Sequence, residues 1–132
     1  MIIKSVSTDK HSQFVNITHL VSDAVKESGI ISGVVTVFVS HTTAGITINE
    51  NADPDVTQDI LLVLDRMVPW DDPEYRHSEG NTAAHVKASL MGNSTQIIIE
   101  KGRLQLGMWQ GIYFCEFDGP RHRKVMIKIL SA

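Results

Sequence analysis

Three of the six histidines stand among polar residues whose types suit metal or acid–base chemistry. His41 precedes two threonines, His77 precedes Ser78 and Glu79, and His85 follows His77 after seven intervening residues. Neutral imidazole is a common ligand of zinc-like ions, and three protein ligands plus water form an open, catalytic type of site. The spacing is not diagnostic, because surface or hydrogen-bonded histidines produce the same pattern. From spacing alone, that simpler interpretation is the more common outcome.

Lys87 stands out by its position on a predicted helix over residues 82–91. At helical spacing it falls within an apolar arc that includes Val86 and Leu90, whereas His85 falls on the polar side. A lysine among apolar neighbours either extends its ammonium to solvent or is held for an anion or a carboxylate. We expect Lys87 to be confined and paired near the histidines or a subunit boundary.

Acids, an amide and an arginine near the histidines have both functional and structural interpretations. Glu50 and Glu79 suit a general base or a partner that orients a histidine. Glu79 and Asn81 equally suit the first turn and the cap of the helix that follows. Arg121 suits bidentate phosphate binding, although a solvated charge beside Arg123 is the commoner outcome.

Two further polar residues have structural explanations. Asp118 suits a general base or a partner of a histidine, as does Glu116, but it begins an Asp-Gly-Pro sequence, which is strong turn chemistry. Cys115 lies within an apolar strand and is expected to be buried and inert.

The predicted elements that position these residues are a mixture of strands and helices early in the chain and consecutive strands later. Strands are predicted over 1–7, 14–16, 32–40, 46–49, 95–100, 103–106, 108–117 and 123–130, with a turn at 43–45. Helices are predicted from a Thr18 cap to Gly29, from an Asp53 cap to Pro69, and over 82–91. This order predicts a single α+β domain over 1–132, a largely antiparallel sheet or sandwich with about three helices.

Composition excludes several classes of protein. Hydrophobic residues make up 42% and charged residues 20% of the 132 residues, as in globular domains. A net charge of −3 and a pI near 6.0 provide no strong field for nucleic acid. No apolar run approaches the roughly 18 residues of a membrane span, and the first ten residues lack the long apolar stretch that is typical of a signal peptide. A single cysteine suits a reducing compartment, so we expect a cytoplasmic protein without membrane partners.

Three motifs together resemble the signatures of the YjbQ-like family, also labelled secondary thiamine-phosphate synthase. They are HTTAGITINENAD from His41, HSEGN-x-x-AHVK from His77, and L-x-LG-x-WQGIY-x-x-EFDGPR, which ends at Arg121. The match covers essentially the whole chain, with motifs in register from residue 41 to 123. One departure is Met108, where a threonine is common before Trp109.

The resemblance implies a β-rich α+β subunit that assembles as a homotrimer with pockets near subunit boundaries. It also implies that His41, His77 and His85 bind a divalent metal ion, with zinc the first expectation. Several polar residues match the family's pattern: Glu50, Asn51, Glu79, Asn81, Lys87, Gln110, Glu116 and Arg121.

The first functional hypothesis is a small-molecule enzyme that acts on a phosphorylated or anionic substrate, with thiamine phosphate synthase-like transfer as one form. Its expected catalytic residues are Glu79, Glu50 and Lys87. Its expected substrate-binding residues are Asn51, Asn81, Lys87, Gln110 and Arg121. The alternatives are a non-catalytic metabolite-binding homotrimer and a structural or interaction module whose histidines stabilise the assembly.

Overall fold

Eight strands and three helices make up the chain, and the computed structural model describes residues 1–132. In chain order they are β1 (Ile2–Ser7), β2 (Gln13–Asn16), α1 (Thr18–Ser28), β3 (Gly33–Phe38), β4 (Ala44–Glu50), α2 (Pro54–Met67), α3 (Thr82–Met91), β5 (Ser94–Glu100), β6 (Arg103–Leu104), β7 (Gln110–Glu116) and β8 (His122–Ser131). All strand pairs are antiparallel, which confirms the predicted α+β fold. None of the helices has the length and apolar character needed to span a membrane.

Two sheets enclose the larger of two hydrophobic cores. One sheet has the strand order β1-β8-β3-β5-β6, and the other has the order β2-β7-β4. Side chains alternate between the faces of a strand, so Val35 and Val37 of β3 both point into this core. Val21 of α1 and Ile46 of β4 belong to the same cluster, so α1 and both sheets share one core.

Strand β7 is buried on both faces. Ile112 and Phe114 belong to the larger core, whereas Tyr113 and Cys115 belong to a second core formed with α2 and α3. A strand that is covered on both faces needs a continuous apolar run rather than an alternating one, as this segment has. Cys115 is buried as predicted, and burial raises the pKa of its thiol.

The predicted cap at Thr18 is wrong by one residue. Helix α1 begins at Thr18, and Ile17 occupies the cap position without a side-chain cap bond. The Thr18 hydroxyl instead accepts a hydrogen bond from the Ile112 N–H at 2.9 Å, while the Ile17 N–H donates to the Ile112 carbonyl at 2.8 Å. The Thr18 side chain therefore links α1 to β7 and does not cap the helix.

The predicted turn at residues 43–45 is also wrong, because β4 already begins at Ala44. A Cβ atom at Gly45 would lie 2.7 Å from the Gly92 carbonyl oxygen and 3.0 Å from the Met91 Cβ. The glycine therefore permits the end of α3 to pack directly against β4. This close approach brings His85 of α3 to the same side of the molecule as His41.

Candidate functional site

Three connections meet around one pocket of about 380 Å³, which we call the histidine pocket. They are the β3–β4 connection, the segment that leads into α3 together with the start of that helix, and the β7–β8 turn with the start of β8. Every lining residue is polar or charged: Ser40, His41, Thr42, Thr43, His77, Glu79, Asn81, His85, Asp118, Arg121 and Arg123. A neighbouring pocket of about 500 Å³ shares His41, Thr42 and His85 and continues along α3.

A buried ion pair between Glu116 and Arg123 adjoins the histidine pocket. The two side chains are 0% and 5% exposed. Arg123 donates from Nε to Glu116 Oε1 at 2.8 Å and from a terminal nitrogen to Oε2 at 2.5 Å. The Thr8 hydroxyl (2.8 Å) and the Asp118 N–H (3.0 Å) also donate to this carboxylate. Burial alone would raise the pKa of Glu116, but the bonds from Arg123, Asp118 and Thr8 outweigh burial and lower it.

His41 is fixed beside this ion pair. Its Nε2 accepts a hydrogen bond from the Lys124 N–H at 3.0 Å, and its ring lies edge-on to Phe114 with ring centroids 6.4 Å apart. Burial and the neighbouring positive charge of Arg123 lower the pKa of His41. The imidazole is therefore neutral at pH 7, with Nε2 as the acceptor and the proton on Nδ1.

His77 and His85 form an adjacent pair on another wall of the pocket. Their ring centroids are 5.2 Å apart and the ring planes are nearly perpendicular, at 85°. Glu79 Oε2 lies 4.0 Å from Nε2 of His77. The structure thus brings the three predicted histidines and Glu79 to one pocket, and Glu79 lies close enough to His77 for a charge interaction but not for a direct hydrogen bond.

Asp118 does more than shape its turn, which was the role that the sequence favoured. Its Oδ2 accepts hydrogen bonds from Asn81 Nδ2 at 2.8 Å and from a terminal nitrogen of Arg121 at 3.0 Å. The Oδ1 of Asn81 is buried without a hydrogen-bond partner. Asp118 therefore fixes two predicted substrate-binding side chains, Asn81 and Arg121, at the pocket.

Gly119 allows this turn to pack closely. A Cβ atom at Gly119 would lie 2.4 Å from the Lys10 carbonyl oxygen and 2.8 Å from both Glu116 Cγ and Thr8 Oγ1. Any larger residue would push the turn away from the buried ion pair. The glycine in the Asp-Gly-Pro sequence thus serves close packing beside the pocket.

Three other predicted site residues lie at the opposite end of β4. Glu50 and Gln110 line a separate pocket of about 370 Å³, and Asn51 donates to the Gln110 carbonyl at 3.1 Å. Strand β4 begins near His41 and ends at Glu50, so about 20 Å of extended chain separates the two ends. Within one chain, Glu50, Asn51 and Gln110 do not reach the histidine pocket.

Lys87 lies on the other side of α3 from the histidine pocket. It is buried, as its place in the apolar arc predicts, and its ammonium binds the Asp65 carboxylate of α2. The pairing with a carboxylate agrees with the prediction, whereas the residue is not part of the histidine pocket's lining. In the structure Lys87 joins α3 to α2.

A zinc ion bound jointly by His41, His77 and His85 does not fit the arrangement described. The lone pair of His41 Nε2 is already engaged by Lys124, and its Nδ1 carries the proton. No three His, Cys, Asp or Glu side chains come close enough to hold one ion. His77 and His85 alone would supply two ligands, whereas catalytic zinc sites have three protein ligands.

Arg123 is the main site residue that sequence reasoning missed. Sequence reasoning assigned it no role beyond that of a neighbouring charge to Arg121, yet it is buried and donates to Thr43 Oγ1 at 2.8 Å. Strand alternation would have found it, because Arg123 has the same parity as the buried residues Val125 and Ile127 of β8.

Comparisons with known proteins agree with this fold. The model of the family described as UPF0047 protein YjbQ-like matches residues 3–132. The UPF0047 protein YugU of Bacillus subtilis is 54% identical over 126 residues, which cover 96% of each chain. The UPF0047 protein MJ1081 of Methanocaldococcus jannaschii is 48% identical over 128 residues, covering 96% of this chain and 91% of that one.

Solved structures show the same architecture. The crystal structure of a conserved YjbQ/UPF0047-family protein from Clostridium acetobutylicum matches with a TM-score of 0.96 and 62% identity, over 98% of this chain and 100% of that one. The conserved hypothetical protein TT1486 from Thermus thermophilus matches with a TM-score of 0.92 and 44% identity, over 98% and 100% of the two chains. The chain therefore belongs to the YjbQ-like UPF0047 family.

Proposed function

We propose that this protein is a small-molecule enzyme whose histidine pocket binds a phosphorylated or otherwise anionic substrate. The observation that carries the proposal is the wholly polar lining, in which His41, His77, His85 and Arg121 meet from three connections. Phosphate oxygens need several donors held in fixed positions, and imidazole, guanidinium and hydroxyl groups supply them.

The proposed division of labour follows the contacts in the pocket. His77 takes up or releases a proton, and Glu79, 4.0 Å away, stabilises the charged imidazolium form. Arg121 and Asn81, both fixed by Asp118, orient the anionic group. Developing negative charge on a leaving group would then face hydrogen-bond donors that are already in place.

The narrower reaction that we propose is thiamine phosphate synthase-like transfer, which couples a pyrimidine pyrophosphate to a thiazole phosphate. The family resemblance supports it. A divalent metal ion, with zinc first, would add Lewis acidity. Because the three histidines do not form a ligand set, the proton transfer and anion binding proposed for the pocket do not require a metal ion.

The test combines binding and turnover. Pyrophosphate binding is measured by calorimetry, and the transfer reaction is assayed with and without zinc or magnesium. We compare His77→Ala with His19→Ala, a control at an exposed histidine on α1. We expect the parent and the control to bind and react, and His77→Ala to lose about 100-fold or more in rate.

Two other outcomes would favour the alternatives. Binding of pyrophosphate with no transfer would indicate a metabolite-binding protein. The absence of both would indicate an interaction module and contradict the proposal.

The proposal includes assembly as a homotrimer. Exposed apolar residues on the outward face of the five-stranded sheet support it, among them Ile98 and Leu130, which flank Val34 in register. Assembly would also provide a route for Glu50, Asn51 and Gln110 of one subunit to approach another subunit's pocket. Light scattering at low concentration tests this, since three chains of 14.6 kDa give about 44 kDa. A persistent mass of one chain would contradict it.

A further inference from the structure

We infer that His41 is a neutral hydrogen-bond donor to the anionic oxygen of the substrate, fixed as its Nδ1–H tautomer, and not a metal ligand. The role toward a substrate rests on the proposed function. The tautomer rests on one contact alone, the hydrogen bond of 3.0 Å from the Lys124 N–H to His41 Nε2.

The chemistry of imidazole leads from this contact to the tautomer. A neutral imidazole has one N–H donor and one nitrogen lone pair, and a backbone N–H can only donate. Nε2 must therefore carry the lone pair, and the proton must lie on Nδ1. Turning the ring over would place a carbon opposite the Lys124 N–H and lose the bond, so the contact also fixes the ring orientation.

The elements around His41 hold this arrangement in place. Lys124 lies within β8, where it pairs in register with Ser5 of β1. Its neighbour Arg123 is bound to buried Glu116, and the Phe114 ring lies edge-on to the imidazole. The donor is thus positioned before any ligand arrives, which is the condition for stabilising charge effectively.

The charges around the pocket explain why a neutral donor matters. Arg121 is paired with Asp118, and Arg123 is paired with Glu116. Both guanidinium charges are therefore largely compensated within the chain. Recognition then depends on where the donors point more than on net charge, which suits a small phosphate or pyrophosphate group.

Two substitutions separate the two nitrogens of His41. In His41→Asn the side-chain amide can replace the donor near Nδ1, and in His41→Gln it can replace the acceptor near Nε2. We expect pyrophosphate binding about tenfold or more weaker in His41→Gln than in His41→Asn, because a hydrogen bond to a charged group is lost. Nitrogen NMR of the ring should show the Nδ1–H tautomer in the parent protein, before and after addition of zinc.

The outcomes distinguish this inference from the proposed function. An Nε2–H tautomer, a zinc-induced change at the His41 ring nitrogens, or stronger binding by His41→Gln would overturn the inference while pyrophosphate binding by the parent still supports the enzyme. Absence of pyrophosphate binding by the parent would overturn the donor role together with the proposed function. Unfolding curves of both variants ensure that the affinities compared are those of folded protein.

Discussion

Two ion pairs in this molecule differ in how far their charged side chains are exposed to solvent. In the pair of Glu116 and Arg123, both side chains are buried, at 0% and 5% exposure. In the pair of Lys87 and Asp65, the lysine is 3% exposed but the aspartate is 64% exposed. The first pair is enclosed in protein, whereas the second extends from the interior to the solvent.

This difference indicates that the structure of the site depends on the pair of Glu116 and Arg123. Glu116 accepts hydrogen bonds from Arg123, Thr8 and the Asp118 N–H, so its carboxylate depends on several elements at once. Asp65 can be solvated whether or not Lys87 is present. Loss of one partner therefore has very different consequences in the two pairs.

The largest effect is expected for Arg123→Met. The substitution leaves the Glu116 carboxylate buried without its counterion, and breaking a buried pair in this way costs about 3–5 kcal/mol. Urea unfolding should show a loss of this size in the free energy of unfolding. A loss below about 1 kcal/mol would mean that the two pairs are equivalent.

Acid should weaken the first pair as well. The pKa of Glu116 is lowered in the folded protein from its ordinary value of 4.5, so its stabilisation is fully present above that value. As pH falls below 4.5 and through the folded pKa, the unfolded chain binds the proton more readily and stability is lost. Unfolding curves from pH 6 down to about pH 3 should show this decline, with a shallower slope in Glu116→Gln. Equal slopes in both proteins would contradict the assignment to Glu116.

A smaller effect is expected for Lys87→Met. Methionine preserves much of the packing of the lysine stem, and the released Asp65 carboxylate stays in solvent. We expect the free energy of unfolding to change by about 1 kcal/mol or less, and pyrophosphate binding to stay at the parent level. Weaker binding would instead support the role in anion binding that the sequence predicted for Lys87.

The smallest effect is expected for Glu50→Gln. Glu50 lies at the far end of β4, so the change should alter stability by less than about 0.5 kcal/mol. In samples dilute enough to contain single chains, calorimetry should show pyrophosphate affinity within about twofold of the parent. A stronger effect there would place Glu50 at the site of its own chain.

Helical geometry predicted α3 well. The opposite directions of His85 and Lys87 follow from their spacing on a helix, and the structure places them on opposite sides. The sequence did not identify Asp65 as the partner of Lys87, because that contact depends on how α2 packs against α3. Local periodicity predicts which face of an element is buried, but it does not predict which element packs against that face.

Glycine and charge were harder to interpret than periodicity. Gly45 predicted a turn, but the residue permits a close approach of α3 that only tertiary packing reveals. Arg123 was given no role because arginine is usually exposed, although its parity within the predicted strand matches the buried positions of β8. The family resemblance gathered His41, His77 and His85 at one site, yet only the structure shows that Lys124 occupies the lone pair of His41.

The central positions of β7 and β8 in their sheets also predict that backbone amides exchange at different rates on the two sides of the histidine pocket. Strands β7 and β8 are tied into their sheets on both sides, so backbone amides there open only with much of the fold. His77 and Glu79 belong to the long connection between α2 and α3, which no strand ladder protects. Amide hydrogen exchange should therefore be slow at Cys115 and Val125 and faster around His77. We therefore expect the contacts that a ligand makes with β8 to be the more rigid ones, and those with the segment around His77 to open more often.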